Sequence, residues 1–480
     1  MTRRVKSFSR YLKTLLFRPR RQGDGSKASR DAAFVRASET IMPTTDTDNL
    51  KQGHTATHVG LSEAPEELAM SDTQPDAQGP EPDWKTTEVS NEFTTPASKN
   101  LPKTEPDIKT ASPSKPVQNS AWEIFQQSGG RIDSPPNNVG HLSVVYDSLR
   151  PKFVEMVMPQ FLWPQNPPHL QINRTHWQGC ALQWGSGKVD PQTSLYTDVA
   201  LHIGGKSVNQ DAVGMCEGVL LQKDKKHPFA IIALADGVTT SLYSEFGALV
   251  AVTAALRSSI HFLAAGHCYG SFPLPMPERE AFSACLCRDF PQIRGSMKTL
   301  QQHATDSLLS FTETYSGKTP SRAVDEAKQH LRRLQAQECE HLSTTLIAAC
   351  ATPNWFTVAG FGNGMVWGVF SSGDIAGSWQ TDPRDGLENH LSTHRTPTDP
   401  SYAWTNPLDA SGIVTIGAAT DGIPNSNVLR KAVGALGVEA AAPELLEYII
   451  QWQLKHCAQD AVDNATLARI GLRHLGLEAK

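Results

Sequence analysis

The sequence lacks the features of several protein classes. No uninterrupted apolar run reaches the length of about 18 residues that a transmembrane helix needs, so no membrane span is expected. The eight cysteines are scattered without a Cys-x-x-Cys pair, which is typical of reduced thiols in a cytoplasmic protein. The net charge of −5 over 480 residues is too small to indicate a nucleic-acid partner for the whole chain. Hydrophobic residues make up only 39% of the chain, so part of it builds no core.

Positive charge is concentrated at the start of the chain, where residues 1–21 hold eight Lys or Arg and no acid. Val5, Phe8, Leu12 and Leu15 recur at near-helical spacing, which predicts a short basic helix with one apolar stripe. Such a helix suits an anionic membrane surface or a protein partner, and a solvated basic tail is the alternative. Basic residues interrupt the apolar positions, which is not typical of an export signal.

Composition divides the chain into four parts. After the basic segment 1–21, residues 22–120 are rich in Ser, Thr and Pro and have too few large apolar residues to offset their ordering entropy, so a disordered linker is predicted. Residues 121–190 are intermediate and are predicted to form an extension that packs on the main domain. Residues 191–475 form that domain, in which short apolar strands occur in adjacent pairs and helices in separate blocks. This order favours packed antiparallel sheets with helices outside them.

Four aspartates stand where an apolar strand meets a loop: Asp211, Asp236, Asp421 and Asp463. Carboxylates that converge at strand ends repel one another and lose hydration, and a hard divalent cation such as Mg²⁺ or Mn²⁺ relieves both effects. Turn chemistry is the alternative, because Asp-Gly is a favoured turn dipeptide and this chain has four of them. Spacing alone leaves both interpretations open.

Six short motifs, taken in their order, resemble a known family. They are KSVNQDA (206–212), ALADGV (233–238), STTL (343–346), FGNG (361–364), ATDGI (419–423) and DNAT (463–466). Together they resemble the metal-dependent protein phosphatases of type 2C, in particular the bacterial branch, over about residues 195 to 472. The resemblance implies an α+β fold: a four-layer α-β-β-α sandwich of two antiparallel sheets flanked by helices, with a metal cleft at one end.

The resemblance also implies roles for the aspartates. Asp211 and Asp236 match metal ligands, and Asp236 matches the one that bridges two ions. Gly237 matches a glycine that supplies its backbone carbonyl, and Asp421 and Asp463 match the remaining carboxylates. The implied cofactors are two Mg²⁺ or Mn²⁺ ions, whose bridging hydroxide attacks phosphorus. The implied substrates are phosphoserine and phosphothreonine in proteins.

Three positions depart from the family pattern. Lys206 stands where the family usually has an arginine that grips the substrate phosphate, so we expect it to be catalytic together with Asp236 but without a bidentate contact. Asn363 stands where the family usually has an aspartate that helps to hold a third metal, and Val238 where eukaryotic members often have a histidine. The third ion is therefore left open.

These departures keep two alternatives in view. One is a catalytically weakened phosphatase-like domain that serves as a regulatory scaffold for phosphoproteins. The other is a docking module in which residues 1–21 are the main functional element. The expected location is the cytoplasm, with peripheral membrane attachment through residues 1–21 as an option, and the sequence does not indicate an oligomeric state.

Overall fold

The computed structural model describes most of the chain after residue 119. The described residues are 120–132, 140–161, 169–190, 193–222, 225–267, 274–317, 322–336, 340–380, 389–408, 412–458 and 462–472. The predicted basic helix of residues 1–21 and all but the last residue of the predicted linker lie outside this part.

The described residues form thirteen strands and seven helices. The strands are β1 (Arg131–Ile132), β2 (Leu170–Gly179), β3 (Leu182–Gly187), β4 (Leu195–His202), β5 (Ala212–Gln222), β6 (Lys225–Ala235), β7 (Leu346–Ala351), β8 (Trp355–Phe361), β9 (Met365–Phe370), β10 (Ile375–Gln380), β11 (Tyr402–Pro407), β12 (Ile413–Ala419) and β13 (Ala465–Leu472). The helices are α1 (Ala121–Gln127), α2 (Gly140–Phe161), α3 (Ser244–His267), α4 (Ala281–Tyr315), α5 (Arg322–Gln335), α6 (Ser426–Leu436) and α7 (Ala442–His456).

The strands form two antiparallel sheets. The larger has the spatial order β1-β3-β2-β5-β6-β7-β8-β11, and the smaller has the order β10-β9-β12-β13-β4. Val213 and Met215 of β5 pack against Ile416 of β12 and Ile470 of β13 in the core between the sheets. The sheets therefore lie face to face, and central strands such as β7 and β12 are buried on both sides because helices cover the outer faces.

Each outer face has its own helical layer. Helices α1 to α5 pack on the larger sheet around a core that includes Phe246, Leu249 and Phe282. Helices α6 and α7 pack on the smaller sheet, where Leu429 and Ile449 contact Trp367 and its neighbours. The predicted four-layer α-β-β-α sandwich is confirmed.

Helix α3 is unusually apolar because it is enclosed on most sides. Its stretch Ser244–Gly266 is long and apolar enough to cross a membrane by length and composition, but 72% of its most apolar 18-residue part is buried inside the protein. It packs on β5, β6 and β7 and against α2 and α4. A helix that is hydrophobic around its circumference is expected in such a core position.

The segment predicted as an extension, residues 121–190, supplies α1, α2 and three strands of the larger sheet. Strand β2 pairs with β5 from Leu170↔Leu220 to Gly179↔Ala212, so the segment continues the sheet beyond β5. Trp177 of β2 is fully buried, with its ring 5.7 Å from that of Phe153 between centroids. The boundary at residue 190 remains a prediction.

Candidate active site

Two of the predicted site residues are brought together by one strand pair. Asp211 immediately precedes β5, Asp236 immediately follows β6, and Ala212 pairs with Ala235 in the antiparallel register of these strands. The two aspartates are therefore neighbours at one end of the larger sheet. This proximity follows from the register alone.

The other two aspartates flank a strand pair of the smaller sheet. Asp421 follows β12 and Asp463 precedes β13, and Ala419 pairs with Leu467 at this end. The charge of Asp421 acts on Asp236, and the charge of Asp463 acts on Asp421, so all four carboxylates belong to one cluster. The structure thus brings together every aspartate that the sequence selected.

Asp211 is the most buried member of the cluster, with no exposed surface. Its Oδ2 accepts hydrogen bonds from Thr420 Oγ1 at 2.8 Å and from Thr466 Oγ1 at 2.7 Å, so it is held by the end of the opposite sheet. Its Oδ1 is buried and has no hydrogen-bond donor among the described residues while the neighbouring carboxylates are ionised. The Asp236 carboxyl is close enough to share a hydrogen bond with Asp211 when one of the two is protonated. Burial raises the pKa of Asp211 to about 6. A buried carboxylate oxygen without a donor is costly unless a cation contacts it.

Asp236 is held through its backbone by the STTL motif. Its N–H donates to Thr345 Oγ1 at 3.0 Å, and its carbonyl accepts from Thr345 N–H and Thr344 Oγ1, both at 2.9 Å. Burial, and then the charges of Asp211 and Asp421, raise the pKa of Asp236 well above its usual range. Three interacting carboxylates at this end of the sandwich are unfavourable without a compensating positive charge.

Asp421 has a protein partner from the FGNG motif. Asn363 Nδ2 donates to Asp421 Oδ2 at 2.6 Å. Asp421 keeps an exposed surface. Partial loss of hydration raises the pKa of its carboxyl, and the charge of Asp463 contributes to the rise. Asn363 stands where the family usually has an aspartate. It therefore supplies a neutral hydrogen-bond donor to Asp421, a candidate metal ligand.

Lys206 lies beside Asp463. Its Nζ is 3.2 Å from Asp463 Oδ1, and the two side chains are 32% and 46% exposed. Asp463 Oδ1 also accepts the backbone N–H of Asn464 at 2.8 Å. The residue expected to bind substrate phosphate is thus the counter-ion of a residue expected to bind metal.

Gly237 is a glycine because its surroundings leave no space for a methyl group. A Cβ at this position would lie 2.8 Å from both the Gln210 carbonyl oxygen and Ser244 Oγ. The N–H of Gly237 donates to the Gln210 carbonyl at 3.1 Å, which ties the Asp236 loop to the Asp211 loop. The backbone N–H of Gln210 in turn donates to Asn464 Oδ1 at 2.9 Å, so the Asn464 side chain holds the Asp211 loop.

Sequence reasoning missed the threonines and Asn464 as positioning groups. Thr420, Thr466 and Thr345 each lie inside a motif that the sequence displayed, so their presence was visible. Their partners were not, because Thr420 and Thr466 lie more than 200 positions from Asp211. Only the packing of the two sheets brings them within hydrogen-bond distance.

The oxygen atoms of the candidate ligands suit a hard cation, but their side chains are not arranged as a complete metal-binding site. Within the described ranges, no group of three or more His, Cys, Asp or Glu side chains is arranged to hold a metal ion. The candidate ligands nevertheless offer only oxygen atoms, as Mg²⁺ and Mn²⁺ prefer, and Asp211 Oδ1 lacks a partner among the described residues. The residues therefore fit the predicted ions, and the ligand set of Asp211, Asp236, Gly237, Asp421 and Asp463 remains a prediction.

Comparison with known families decides the class of this protein. A family model described as Protein phosphatase 2C matches residues 200–455, which is more than half of the chain. The chain belongs to the protein phosphatase 2C family. It is therefore a protein serine/threonine phosphatase by family, and the matched residues contain Lys206, Asp211, Asp236 and Asp421 but end before Asp463.

Solved structures of phosphatases are similar to this phosphatase 2C domain at low identity. Serine/threonine phosphatase Stp1 from Staphylococcus aureus is 12% identical, with 60% of this chain and 99% of that chain covered and a TM-score of 0.34. PstP/Ppp from Mycobacterium tuberculosis is 14% identical, with 58% and 99% covered and a TM-score of 0.31. Phosphatase 2C from Toxoplasma gondii is 13% identical, with 62% and 99% covered and a TM-score of 0.35. A search of curated protein sequences finds no significant match.

Proposed function

We propose that this phosphatase 2C domain hydrolyses phosphoserine and phosphothreonine in protein substrates with the help of Mg²⁺ or Mn²⁺. The observation that carries the proposal is Asp211 Oδ1, which is buried, lacks a donor among the described residues and adjoins Asp236. Asp236, Gly237, Asp421 and Asp463 complete the proposed ligand set. A cation in this cluster offsets the loss of hydration and the repulsion that together raise the carboxyl pKa values.

The chain's own contribution is to hold oxygen atoms in place before the ions arrive. Two ions, when bound, supply hydroxide near neutral pH and offset charge on the phosphoryl group. Thr420 and Thr466 occupy Asp211 Oδ2 and leave Oδ1 for a cation. Thr345 and Thr344 fix the backbone of Asp236, so its carboxylate projects from a rigid strand end.

Lys206 remains the proposed phosphate-binding residue. Its side chain is one-third exposed, and its ammonium lies at the edge of the carboxylate cluster next to Asp463. The ammonium holds a substrate phosphate as a point charge, without the bidentate hydrogen bonds that an arginine offers. Its ion pair with Asp463 competes with that role, since the same Nζ serves both partners.

The catalytically weakened scaffold is the second candidate, and two contacts favour it. Lys206 forms an ion pair with Asp463, and Asn363 donates a hydrogen bond to Asp421, so two proposed ligands already have protein partners. A domain of this kind binds a phosphorylated protein without hydrolysing it.

Hydrolysis of p-nitrophenyl phosphate and of a phosphothreonine peptide, with Mn²⁺ and with EDTA, tests the proposal. We expect Mn²⁺-dependent turnover in the wild-type protein and a loss of at least about a hundredfold in Asp236→Ala, because a proposed metal ligand is removed. Asp374→Ala is the matched control, since Asp374 is an exposed aspartate whose side chain accepts a hydrogen bond from the neighbouring Ser372.

The outcomes separate the two candidates. Equal rates of hydrolysis with Mn²⁺ for the wild-type protein and Asp236→Ala would contradict the proposal that the domain is an active enzyme. Binding of the phosphothreonine peptide without turnover supports the scaffold.

Location and partners beyond the substrate are also proposals. We place the protein in the cytoplasm because the described cysteines, such as Cys216 and Cys350, are free thiols. Attachment of residues 1–21 to an anionic membrane surface or a protein partner remains a prediction from the sequence.

A further inference from the structure

Helix α2 precedes the residues matched by the family model, yet its buried face reaches α3 beside the candidate active site. Tyr146 and Arg150 of α2 are only 7% and 4% exposed. The ring of Tyr146 lies 5.8 Å from that of Phe246 and 6.2 Å from that of Tyr243 between centroids. The guanidinium of Arg150 covers the Tyr146 ring at 5.6 Å, so the tyrosine is packed on several sides.

The hydroxyl of Tyr146 donates a hydrogen bond to the carboxylate of Glu245 in the first turn of α3. Glu245 is 3% exposed, and a carboxylate at that depth requires a donor. The N-terminal end of a helix also favours negative charge, so Glu245 is suited to its place in α3. Tyr146 therefore anchors this turn from α2 by a hydrogen bond. Phe153 of α2 packs on the same turn, with its ring centroid 6.4 Å from that of Phe246.

The same turn of α3 touches the loops that carry the candidate metal ligands. Ser244, the first residue of α3, is fully buried, and a Cβ on Gly237 would lie 2.8 Å from Ser244 Oγ and 2.9 Å from the Ser244 carbonyl carbon. Ser244 Oγ accepts a hydrogen bond from Gln210 Nε2 at 2.8 Å. Gln210 adjoins Asp211, and Gly237 adjoins Asp236. Movement of the α3 first turn is therefore transmitted to both loops.

The backbone on either side of this turn is constrained. Tyr243, directly before α3, has a φ of +56°, which is costly for a residue with a Cβ and persists only where the surroundings impose it. Gly247 lies against the backbone of Leu342, where a Cβ would come within 2.0 Å of the carbonyl oxygen. The edge-on packing of Tyr146 on Tyr243 is part of what holds this conformation.

We propose that Tyr146 is a positioning residue of the phosphatase centre. Through Glu245 it holds the first turn of α3 against Gly237, and this contact keeps the loops of Asp211 and Asp236 in the arrangement that accepts the metal ions. The metal part of the inference rests on the proposed function, whereas the loop part rests on the packing alone.

Tyr146→Phe in the full-length protein tests the inference, because it removes the donor and keeps the ring. We expect faster amide hydrogen exchange across residues 236–247 in the metal-free protein, measured by mass spectrometry. We also expect the calorimetric Kd for Mn²⁺ to rise about fivefold to tenfold, as for the loss of one buried hydrogen bond.

Two further variants separate positioning from general stability. Ser148→Ala removes a 2.6 Å hydrogen bond from the same helix to Ser307 of α4 instead of to α3, and should leave both measurements unchanged. Glu245→Gln keeps an oxygen acceptor for Tyr146 and should retain slow exchange, whereas Glu245→Ala should reproduce Tyr146→Phe.

Unchanged exchange at residues 236–247 in Tyr146→Phe, or an equal change in Ser148→Ala, overturns the inference. Faster exchange with an unaltered Kd for Mn²⁺ also overturns it, because the loops would then move without consequence for the site. If the wild-type protein binds no Mn²⁺, the proposed function fails, and the exchange result still decides whether Tyr146 positions the loops.

Discussion

At the scale of single residues, the two oxygen atoms of Asp211 have different surroundings. Oδ2 is satisfied by two threonines, while Oδ1 has no partner in the described part of the chain. Burial and the neighbouring carboxylates favour the protonated forms of this cluster when no cation is bound. The charge state of the cluster, and hence its contribution to stability, therefore depends on metal and on pH.

The raised pKa of Asp211 predicts the sign of that pH dependence. Its pKa rises from 3.8 to about 6 on folding, so between these values the folded state binds more protons than the unfolded state. The free energy of unfolding of the metal-free protein should therefore fall as the pH rises from about 4 to above 6. Urea unfolding in EDTA at pH 5 and pH 7 measures this change.

Asp211→Asn is the control for this titration. The amide does not ionise in this range, so the variant should lose much of the difference between pH 5 and pH 7. An identical pH dependence in the variant and the wild-type protein would show that Asp211 contributes nothing to it.

Lys206 carries the second prediction at the residue scale. Lys206→Met removes the ammonium, and we expect the KM for a phosphothreonine peptide at saturating Mn²⁺ to rise about tenfold, as for the loss of one charge-assisted contact. Lys206→Arg keeps the positive charge and allows bidentate hydrogen bonds to the phosphate, so its KM should be lower than that of Lys206→Met. An unchanged KM in Lys206→Met would mean that Lys206 serves only as the counter-ion of Asp463.

At the scale of secondary-structure elements, the segment before the family match is built into the larger sheet. Strand β2 pairs along β5, the strand that begins directly after Asp211. Trp177 of β2 packs against Phe125 of α1, Phe153 of α2 and Trp184 of β3. These rings join two helices and two strands into one side of the core.

Trp177→Ala should therefore destabilise the whole domain. Truncation of a fully buried aromatic side chain costs about 3–5 kcal/mol. Trp452→Ala on α7 is the matched control, because Trp452 is only partly buried and should cost much less. Denaturant unfolding monitored by circular dichroism checks both variants, and equal losses would argue against a structural role for the Trp177 cluster.

At the scale of the whole molecule, metal binding is linked to folding because the proposed ligands come from both sheets. A cation that binds only the folded sandwich stabilises it, by about 2.7 kcal/mol at one hundred times Kd. Mn²⁺ should therefore raise the Tm of the wild-type protein by a few degrees and leave the Tm of Asp236→Ala nearly unchanged. Equal shifts in both proteins would place the bound ion elsewhere.

The sequence by itself determined the layer architecture and the identity of the clustered aspartates. Apolar runs with Gly and Asp punctuation specify strands, and the ordered motifs, three of which contain Asp211, Asp236 and Asp421, resemble one family. Such signals are local, since each is written within a few consecutive residues.

Only the tertiary structure decided which groups meet. The donation of Thr466 to Asp211, the pairing of Lys206 with Asp463 and the reach of Tyr146 to Glu245 join distant positions in the chain. No local pattern encodes these contacts, because they depend on how two sheets and the helices outside them pack. The burial that raises the pKa of Asp211 has the same origin, since it requires both sheets to close over one carboxylate.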